Sequence, residues 1–381
     1  MLKVTSLRVL HVYRTYYPDP PGGLQEAIRQ IALATKSYDV VPQIFALSGT
    51  PHPVECLRPE GMVTRAHSWA EPASCNLGGI AAFGRFAKLA KQADVIHYHF
   101  PWPFADLLHV LVRPKAPAVM TYHSDIVRQR WLGRAYAPLM SRMLGSMSAV
   151  VATSPAYALT STVLSDASLS DRVRVIPLGI EEGSYPHDGD AGMLRRVGLD
   201  EGEPFFLFIG VLRYYKGLHT LVQAAASVRA RVVIAGSGPE GAALQEQVRK
   251  LGLRNVAFAG QVSDAEKVAL LKSCYALVLP SHLRSEAFGM VLVEAAMFGK
   301  PMISCEIGTG TSYVNADGET GIVVPPENPS ELAGAMNRLM GDKDLAERFG
   351  QAARLRYEQM FSGEALGKAY AALYQEVVHD R

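Results

Sequence analysis

Two doubly wound α/β domains are what this sequence predicts, and three observations predict them. Short, near-continuous apolar runs alternate with helical patterns from end to end, as strands buried on both faces of a parallel sheet should. A length of 381 residues is long for one core and suits two. A polar, turn-rich break then falls near residues 183–203, where Gly183, Pro186, Asp188-Gly189-Asp190 and Glu201-Gly202-Glu203-Pro204 flank a short helical segment.

The elements follow in order. Strands are expected at residues 8–13, 43–47, 94–100, 118–123, 149–153 and 173–178, and then at 205–209, 232–235, 256–259, 276–279, 301–305 and 322–324. Helices are expected at 24–33, 80–91, 135–145, 217–228, 241–251, 265–272 and 331–340. Such alternation builds parallel sheets through right-handed crossovers. The resulting division is an N-terminal Rossmann-like domain over 1–183, a linker over 184–203, a C-terminal domain over 204–360 and a terminal segment over 361–381. Its amphipathic helix at 365–378 is expected to cross back onto the N-terminal domain. The two domains are expected to face each other across a cleft.

Composition narrows the function classes. Hydrophobic residues make up 49% and charged residues 19%, the profile of an ordered, core-rich protein. A net charge of +2 argues against nucleic acid as a partner. Residues 1–183 carry 18 Lys+Arg against 13 Asp+Glu, while residues 184–381 carry 20 against 23. The mildly basic first half fits an anionic acceptor or membrane surface, or ordinary surface variation. Cys56, Cys75, Cys274 and Cys305 form no Cys-x-x-Cys pair, as expected of unpaired thiols in a reducing cytoplasm. The N-terminal residues lack a signal peptide's apolar centre, and no uncharged apolar stretch approaches the roughly 18 residues that span a bilayer. A cytoplasmic protein is expected, either soluble or in peripheral contact with the cytoplasmic face of the inner membrane. Arg128-Gln129-Arg130-Trp131-Leu132-Gly133-Arg134 is a candidate for that contact, or for an acceptor-groove wall or plain surface helix.

Residues 285–301 hold the densest chemistry. Glu286 sits in a polar loop, Phe288-Gly289-Met290-Val291 opens an apolar run, and Glu294 follows eight residues after Glu286 inside an apparent buried helix. Free amides at a helix start hold anions, carboxylates accept from hydroxyls, and a buried Glu294 needs a partner. After strand 205–209, Arg213 and Lys216 open a helix at a strand's C-terminal end, where doubly wound sheets bind ligands. Two cations there can neutralise a diphosphate without metal, or be a solvated basic loop. Gly22-Gly23 follows the first strand and permits close approach to a phosphate, or marks a plain turn. His123 ends another strand as a sugar contact or a structural histidine.

Other patterns are weaker. His97 and His99 look like a metal pair, but no third ligand has suitable spacing. Gly236-Ser237-Gly238-Pro239-Glu240-Gly241 fits G-x-G-x-x-G, yet the next strand ends in Ala259-Gly260-Gln261 without the acidic residue a dinucleotide site wants. Gly236 and Gly238 therefore read as a ligand-facing or packing turn. Asp188-Gly189-Asp190 mimics a metal motif but reads as a solvated turn.

Taken together, the Gly22-Gly23 loop, His123, Arg213 with Lys216, and Glu286 with Glu294 resemble the GT-B glycosyltransferases of family 4, retaining enzymes that use nucleotide-sugar donors. The resemblance covers nearly the whole chain. It implies that Arg213 and Lys216 bind the donor diphosphate and that Glu286 grips the transferred sugar. Phe288, Gly289, Met290 and Val291 would supply donor contacts, Glu294 would bond the ribose, and Gln261 and Val262 would meet the base. His123 would lie beside the donor sugar and Gly22-Gly23 would complete the site, with the acceptor on the N-terminal domain.

The segment from Tyr16 to Glu26 resembles, more narrowly, mannosyl- and rhamnosyltransferases of bacterial O-antigen assembly. That likeness implies a GDP-sugar donor, an undecaprenyl-diphosphate-linked saccharide acceptor, no metal and no cofactor beyond the co-substrate. No carboxylate pair is assigned as in retaining hydrolases, so a front-face substitution is expected. A GT-B epimerase or phosphorylase, a two-lobed sugar-binding protein and an oxidoreductase are the alternatives.

Overall fold

In the computed structural model, residues 6–19, 22–72, 75–125, 130–190, 192–200 and 202–380 are described, those at 130–135 without side chains. The chain divides into residues 1–179 with 363–381, and residues 180–362.

The first unit contains β1 (Leu7–Val12), β2 (Val40–Ser48), β3 (Glu55–Arg58), β4 (Gly61–Ala70), β5 (Leu77–Gly78), β6 (Val95–Phe100), β7 (Ala118–Tyr122), β8 (Ala149–Ala152) and β9 (Val173–Val175). Its sheet runs β3-β4-β2-β1-β6-β7-β8-β9, with β5 on β4. The parallel strands β1, β6, β7 and β8 are almost wholly buried, which is why they read as continuous apolar runs. The edge hairpin β3–β4 was not expected from the sequence. β3 alternates exposed and half-buried residues and carries no apolar run. Helices α1 (Gly23–Thr35), α2 (Ile80–Ala90), α3 (Pro103–Val112), α4 (Arg130–Gly145) and α5 (Pro155–Thr160) belong to this unit.

The second unit contains β10 (Phe205–Ile209), β11 (Arg231–Ala235), β12 (Val256–Gly260), β13 (Ala276–Leu279), β14 (Met302–Cys305) and β15 (Gly321–Val324), in the order β12-β11-β10-β13-β14-β15. Every pairing in it is parallel. Its helices are α6 (Met193–Arg196), α7 (Leu218–Ala225), α8 (Gly241–Lys250), α9 (Asp264–Ser273), α10 (Met290–Met297), α11 (Thr311–Val314), α12 (Pro329–Gly341) and α13 (Lys343–Arg356).

Residues 184–203 differ from a free linker, because they are bound into the second unit. Gly189 lies so close to α9 that a Cβ there would come within 2.7 Å of the Ala269 backbone. The Asp190 amide donates to the Ala265 carbonyl at 3.0 Å, and Lys272 Nζ to the His187 carbonyl at 2.7 Å. Asp190 itself accepts from the Gly192 amide and from Arg196, as a turn residue does.

The last helix, α14 (Gly363–His379), returns to the first unit as the sequence implied. It packs on α1, buries Leu366, Tyr370, Tyr374 and Val377, and passes so near that a Cβ on Gly367 would lie 2.3 Å from the Ala34 carbonyl oxygen.

Candidate active site

Winding in the second unit starts at β10, proceeds to β11 and β12, and reverses at β13. The loops that leave β10 and β13 therefore diverge, and the crevice at their carboxyl ends is where such sheets take ligands. Lys216 comes from the first loop and Glu286 from the second. Three features fix them. Gly217 is left-handed (φ 68°), and a Cβ there would stand 2.0 Å from the Pro280 carbonyl oxygen. The His282 amide donates to the Tyr215 carbonyl at 3.0 Å. Lys216 Nζ forms an ion pair with Glu286 Oε2, with side chains 12% and 11% exposed.

Burial by itself would lower the Lys216 ammonium, but the charge and hydrogen bond of Glu286, together with the charges of Tyr215 and Glu294, outweigh it and raise its pKa above the ordinary value. Ser281 Oγ donates a second hydrogen bond to Glu286 Oε2 at 3.3 Å. The loop after β14 braces the glutamate from behind. Thr309 Oγ1 donates to the Glu286 carbonyl and the Gly310 amide to that of Ala287, each at 2.8 Å.

Glu294 lies on α10, 7% exposed. The hydroxyl-bearing partner that its burial demanded is present within the protein. Tyr185 donates from its hydroxyl to Glu294 Oε1 at 2.5 Å, and Lys267 Nζ reaches the same oxygen at 3.0 Å. The Lys267 ammonium also stands 4.5 Å from the Tyr185 ring centre. Gly289 caps α10 in the left-handed region (φ 85°), and the first amides of the helix, at Met290 and Val291, have no intrahelical acceptor. Phe288 is buried at the foot of this turn, where Gly310 packs so tightly that a Cβ would meet its ring at 2.6 Å.

The remaining second-unit candidates divide. Arg213 is exposed and makes no side-chain bond among the described residues. Gln261 is exposed and accepts from Ser237 Oγ at 2.8 Å, while Val262 is half-buried. Gly236 and Gly238 have a packing explanation. Cβ atoms there would come within 1.9 Å of the Gly210 carbonyl oxygen and 2.5 Å of the Leu212 carbonyl oxygen. The turns after β10 and β11 thus touch through bare backbone, sealed by the Leu212 amide donating to Ser237 at 2.9 Å.

In the first unit the corresponding reversal lies between β1 and β6. Gly22 caps α1 just beyond β1. A Cβ on Gly22 would meet only the flexible Gln25 side chain, at 2.9 Å, and one on Gly23 nothing within 4 Å. Among the described residues no packing demands these glycines. His123 follows β7, 6% exposed, with its amide bonded to the Phe100 carbonyl.

The sequence spacing offers His97 and His99 no third ligand, but the fold brings a third histidine beside them. β1 and β6 pair with His11 opposite His97, which puts His11 within reach of both, and ring nitrogens of the three lie within 4.8 Å of one another. Sequence spacing could not reveal this, because the partner lies on a different strand. Burial pushes the imidazoles of His11 and His123 down to about 3, and those of His97 and His99 well below the ordinary value.

Of the basic and aromatic segment 128–134, residues 128 and 129 and the side chains of 130–134 lie outside the described residues. Among the described residues no helix is long and apolar enough to cross a membrane.

Comparison with known proteins decides the family. The model for glycosyltransferase family 4 matches residues 21–183, and that for glycosyl transferases group 1 matches residues 193–356. The chain is 47% identical over 356 residues to D-rhamnosyltransferase WbpZ of Pseudomonas aeruginosa, covering 93% of this chain and 92% of that protein. The chain belongs to the family 4 glycosyltransferases. This glycosyltransferase is also 40% identical over 375 residues to O-antigen chain mannosyltransferase C of Escherichia coli, covering 98% of this chain and all of that one. Its fold is that of sucrose-phosphate synthase from Thermosynechococcus elongatus, with a TM-score of 0.80 at 22% identity over 98% of this chain and 100% of that chain. Anabaena HepE in complex with UDP superposes with a TM-score of 0.77 at 18% identity, over 97% and 100%. The enzyme has the GT-B fold.

Lys267, Tyr185 and Ser281 were not legible as partners of the two glutamates. Lys267 lies 27 positions from Glu294 and Tyr185 lies 109. A buried glutamate on an apolar helix was the available signal that such partners exist.

Proposed function

We propose that this glycosyltransferase moves mannose or rhamnose from a GDP-sugar to an undecaprenyl-diphosphate-linked saccharide in bacterial O-antigen assembly, with retention at the transferred carbon. The names of its two relatives support the sugar and the pathway. The observation that carries the site is the Lys216–Glu286 pair at the reversal point of the second sheet.

In this reading Arg213 and Lys216 hold the donor diphosphate, and Glu286 accepts from a hydroxyl of the sugar. Amides of Phe288, Gly289, Met290 and Val291 line the sugar and phosphate, Glu294 meets the ribose, and Gln261 and Val262 meet the base. Within the first unit Gly22, Gly23 and His123 contact hydroxylated or phosphorylated groups, while Gly236 and Gly238 hold the donor loops of the second unit in place. The glycosidic bond to phosphate breaks as the acceptor oxygen attacks from the same face. The departing phosphate oxygen takes the acceptor hydroxyl's proton. Preset cations stabilise the charge that grows on that phosphate, so no protein nucleophile and no metal is invoked. The lipid acceptor would bring the enzyme to the cytoplasmic membrane face.

A thermal-shift comparison of GDP, UDP and ADP tests the base, because a ligand at 100 times its Kd stabilises by about 2.7 kcal/mol. Stabilisation by GDP above the other two is expected, and preferential stabilisation by UDP would overturn the donor assignment. Product assays with the lipid-linked acceptor test the reaction. Sugar release or donor interconversion without any acceptor would favour an epimerase instead.

A further inference from the structure

A hydrogen-bonded row of three histidines runs from the sheet interior to His123. His11 Nδ1 meets His99 Nε2 at 3.1 Å, and His99 Nδ1 meets His123 Nε2 at 3.0 Å. The row is continuous because β1, β6 and β7 are adjacent, with His11 opposite His97 and His99 opposite Thr121, two residues before His123. Tyr370 and Tyr374 of α14 cover the same face. Tyr374 bonds His97 Nδ1 at 2.7 Å, Thr121 bonds His97 Nε2 at 2.7 Å, and Tyr370 bonds Thr121 at 2.8 Å.

A metal is the first reading of three converging histidines, but the nitrogens are already used. Of the six ring nitrogens of His11, His97 and His99, five are engaged in the hydrogen bonds just described, and His11 Nε2 alone is buried without a partner. A cation would have to break several of those bonds.

Burial keeps the imidazoles uncharged, so each ring carries one proton. That leaves two ways to satisfy both contacts. Either every ring is protonated on Nδ1 and donates toward His123, or every ring is protonated on Nε2 and donates toward His11. The second arrangement strands an N–H at His11 Nε2, where no described residue accepts it. The first leaves a bare acceptor there, which is the less costly orphan.

We propose that His11 and His99 are positioning residues that lock His123 in its Nδ1–H form, so that it presents a hydrogen-bond donor and not a base to an oxygen-rich ligand. No described residue bonds His123 Nδ1. The ligand class is a hydroxylated or phosphorylated group that accepts at that atom. As a sugar contact it rests on the reading of His123 given above; the tautomer itself does not.

Nitrogen-15 NMR of histidine-labelled, ligand-free enzyme separates the two. Protonated Nδ1 and bare Nε2 are expected at His11, His99 and His123. An Nε2–H form at His99 or His123 would overturn the proposal, as would stoichiometric zinc binding that shifts the resonances of His11 and His99. Two variants then test the consequence. His99→Asn keeps an amide donor near the lost Nδ1 and should retain the Nδ1–H signature of His123, with KM for the donor within a few-fold of wild type. His99→Phe should lose both, raising KM roughly tenfold with little change in kcat. Equal behaviour of two folded variants would refute the positioning role. An intact tautomer signature with no effect on the donor would instead count against the sugar-contact reading alone.

Discussion

The two sheets of this glycosyltransferase place opposite chemistries at the same topological position. Where the second sheet reverses, between β10 and β13, a lysine and a glutamate meet as a charged pair with little exposure. Where the first reverses, between β1 and β6, uncharged histidines bond one another. Glycines differ in the same way. Those at 236 and 238 are forced by backbone contact, whereas 22 faces only the flexible Gln25 side chain and 23 meets nothing within 4 Å among the described residues. A doubly wound sheet fixes where a site can be, and local residues fix whether it handles charge or only hydrogen bonds.

The most severe test of this contrast is Lys216→Ala. It removes a cation proposed to meet the donor phosphate and strands Glu286, and kcat/KM should fall by about 10²–10³ in steady-state assays. It should also lower the midpoint of unfolding of the second unit, since breaking a buried pair costs about 3–5 kcal/mol. Glu286→Gln comes next. It should lower kcat and raise KM together, while Glu294→Gln, still able to bond Tyr185, should raise KM roughly tenfold and spare kcat. The reverse ranking in the same assay would exchange their roles.

The first unit should show its difference through pH. Its buried histidines His11, His97, His99 and His123 are neutral when folded and bind protons when unfolded, so the unfolded state holds more protons below about pH 6.5. Stability is therefore full above that pH and declines as pH falls toward about 3, where His11 and His123 begin to protonate in place. Each such histidine contributes a slope of about 1.4 kcal/mol per pH unit inside that window. Hydrogen exchange at pH 7 and pH 5 should show the strands β1, β6 and β7 losing protection first. The smallest effects separate the glycines. Gly236→Ala should destabilise by at least about 1–3 kcal/mol, while Gly23→Ala should leave the melting temperature unchanged or slightly raised.

Parts of this were open to reading in the chain itself. The second sheet was, because strands such as 205–209 and 276–279 are apolar throughout, and burial on both faces leaves that mark. The edge strands β3 and β5 were not, since half-exposed strands carry no such run. Helices α3 and α13 also escaped, although Pro103 at the start of α3 is a usable signal. In the site, Lys216, Glu286 and Glu294 were recognisable by residue type, but not that the first two bind each other across 70 positions. The histidine row needed the β1–β6 register, which no spacing encodes.

The proposed seat of the donor's diphosphate is the reversal point of the second sheet. Equilibrium titration of GDP and the GDP-sugars against wild type and Lys216→Ala tests it most directly. Binding to wild type and a loss of roughly tenfold or more in the folded variant are expected. Unchanged affinity in a folded Lys216→Ala enzyme would contradict it.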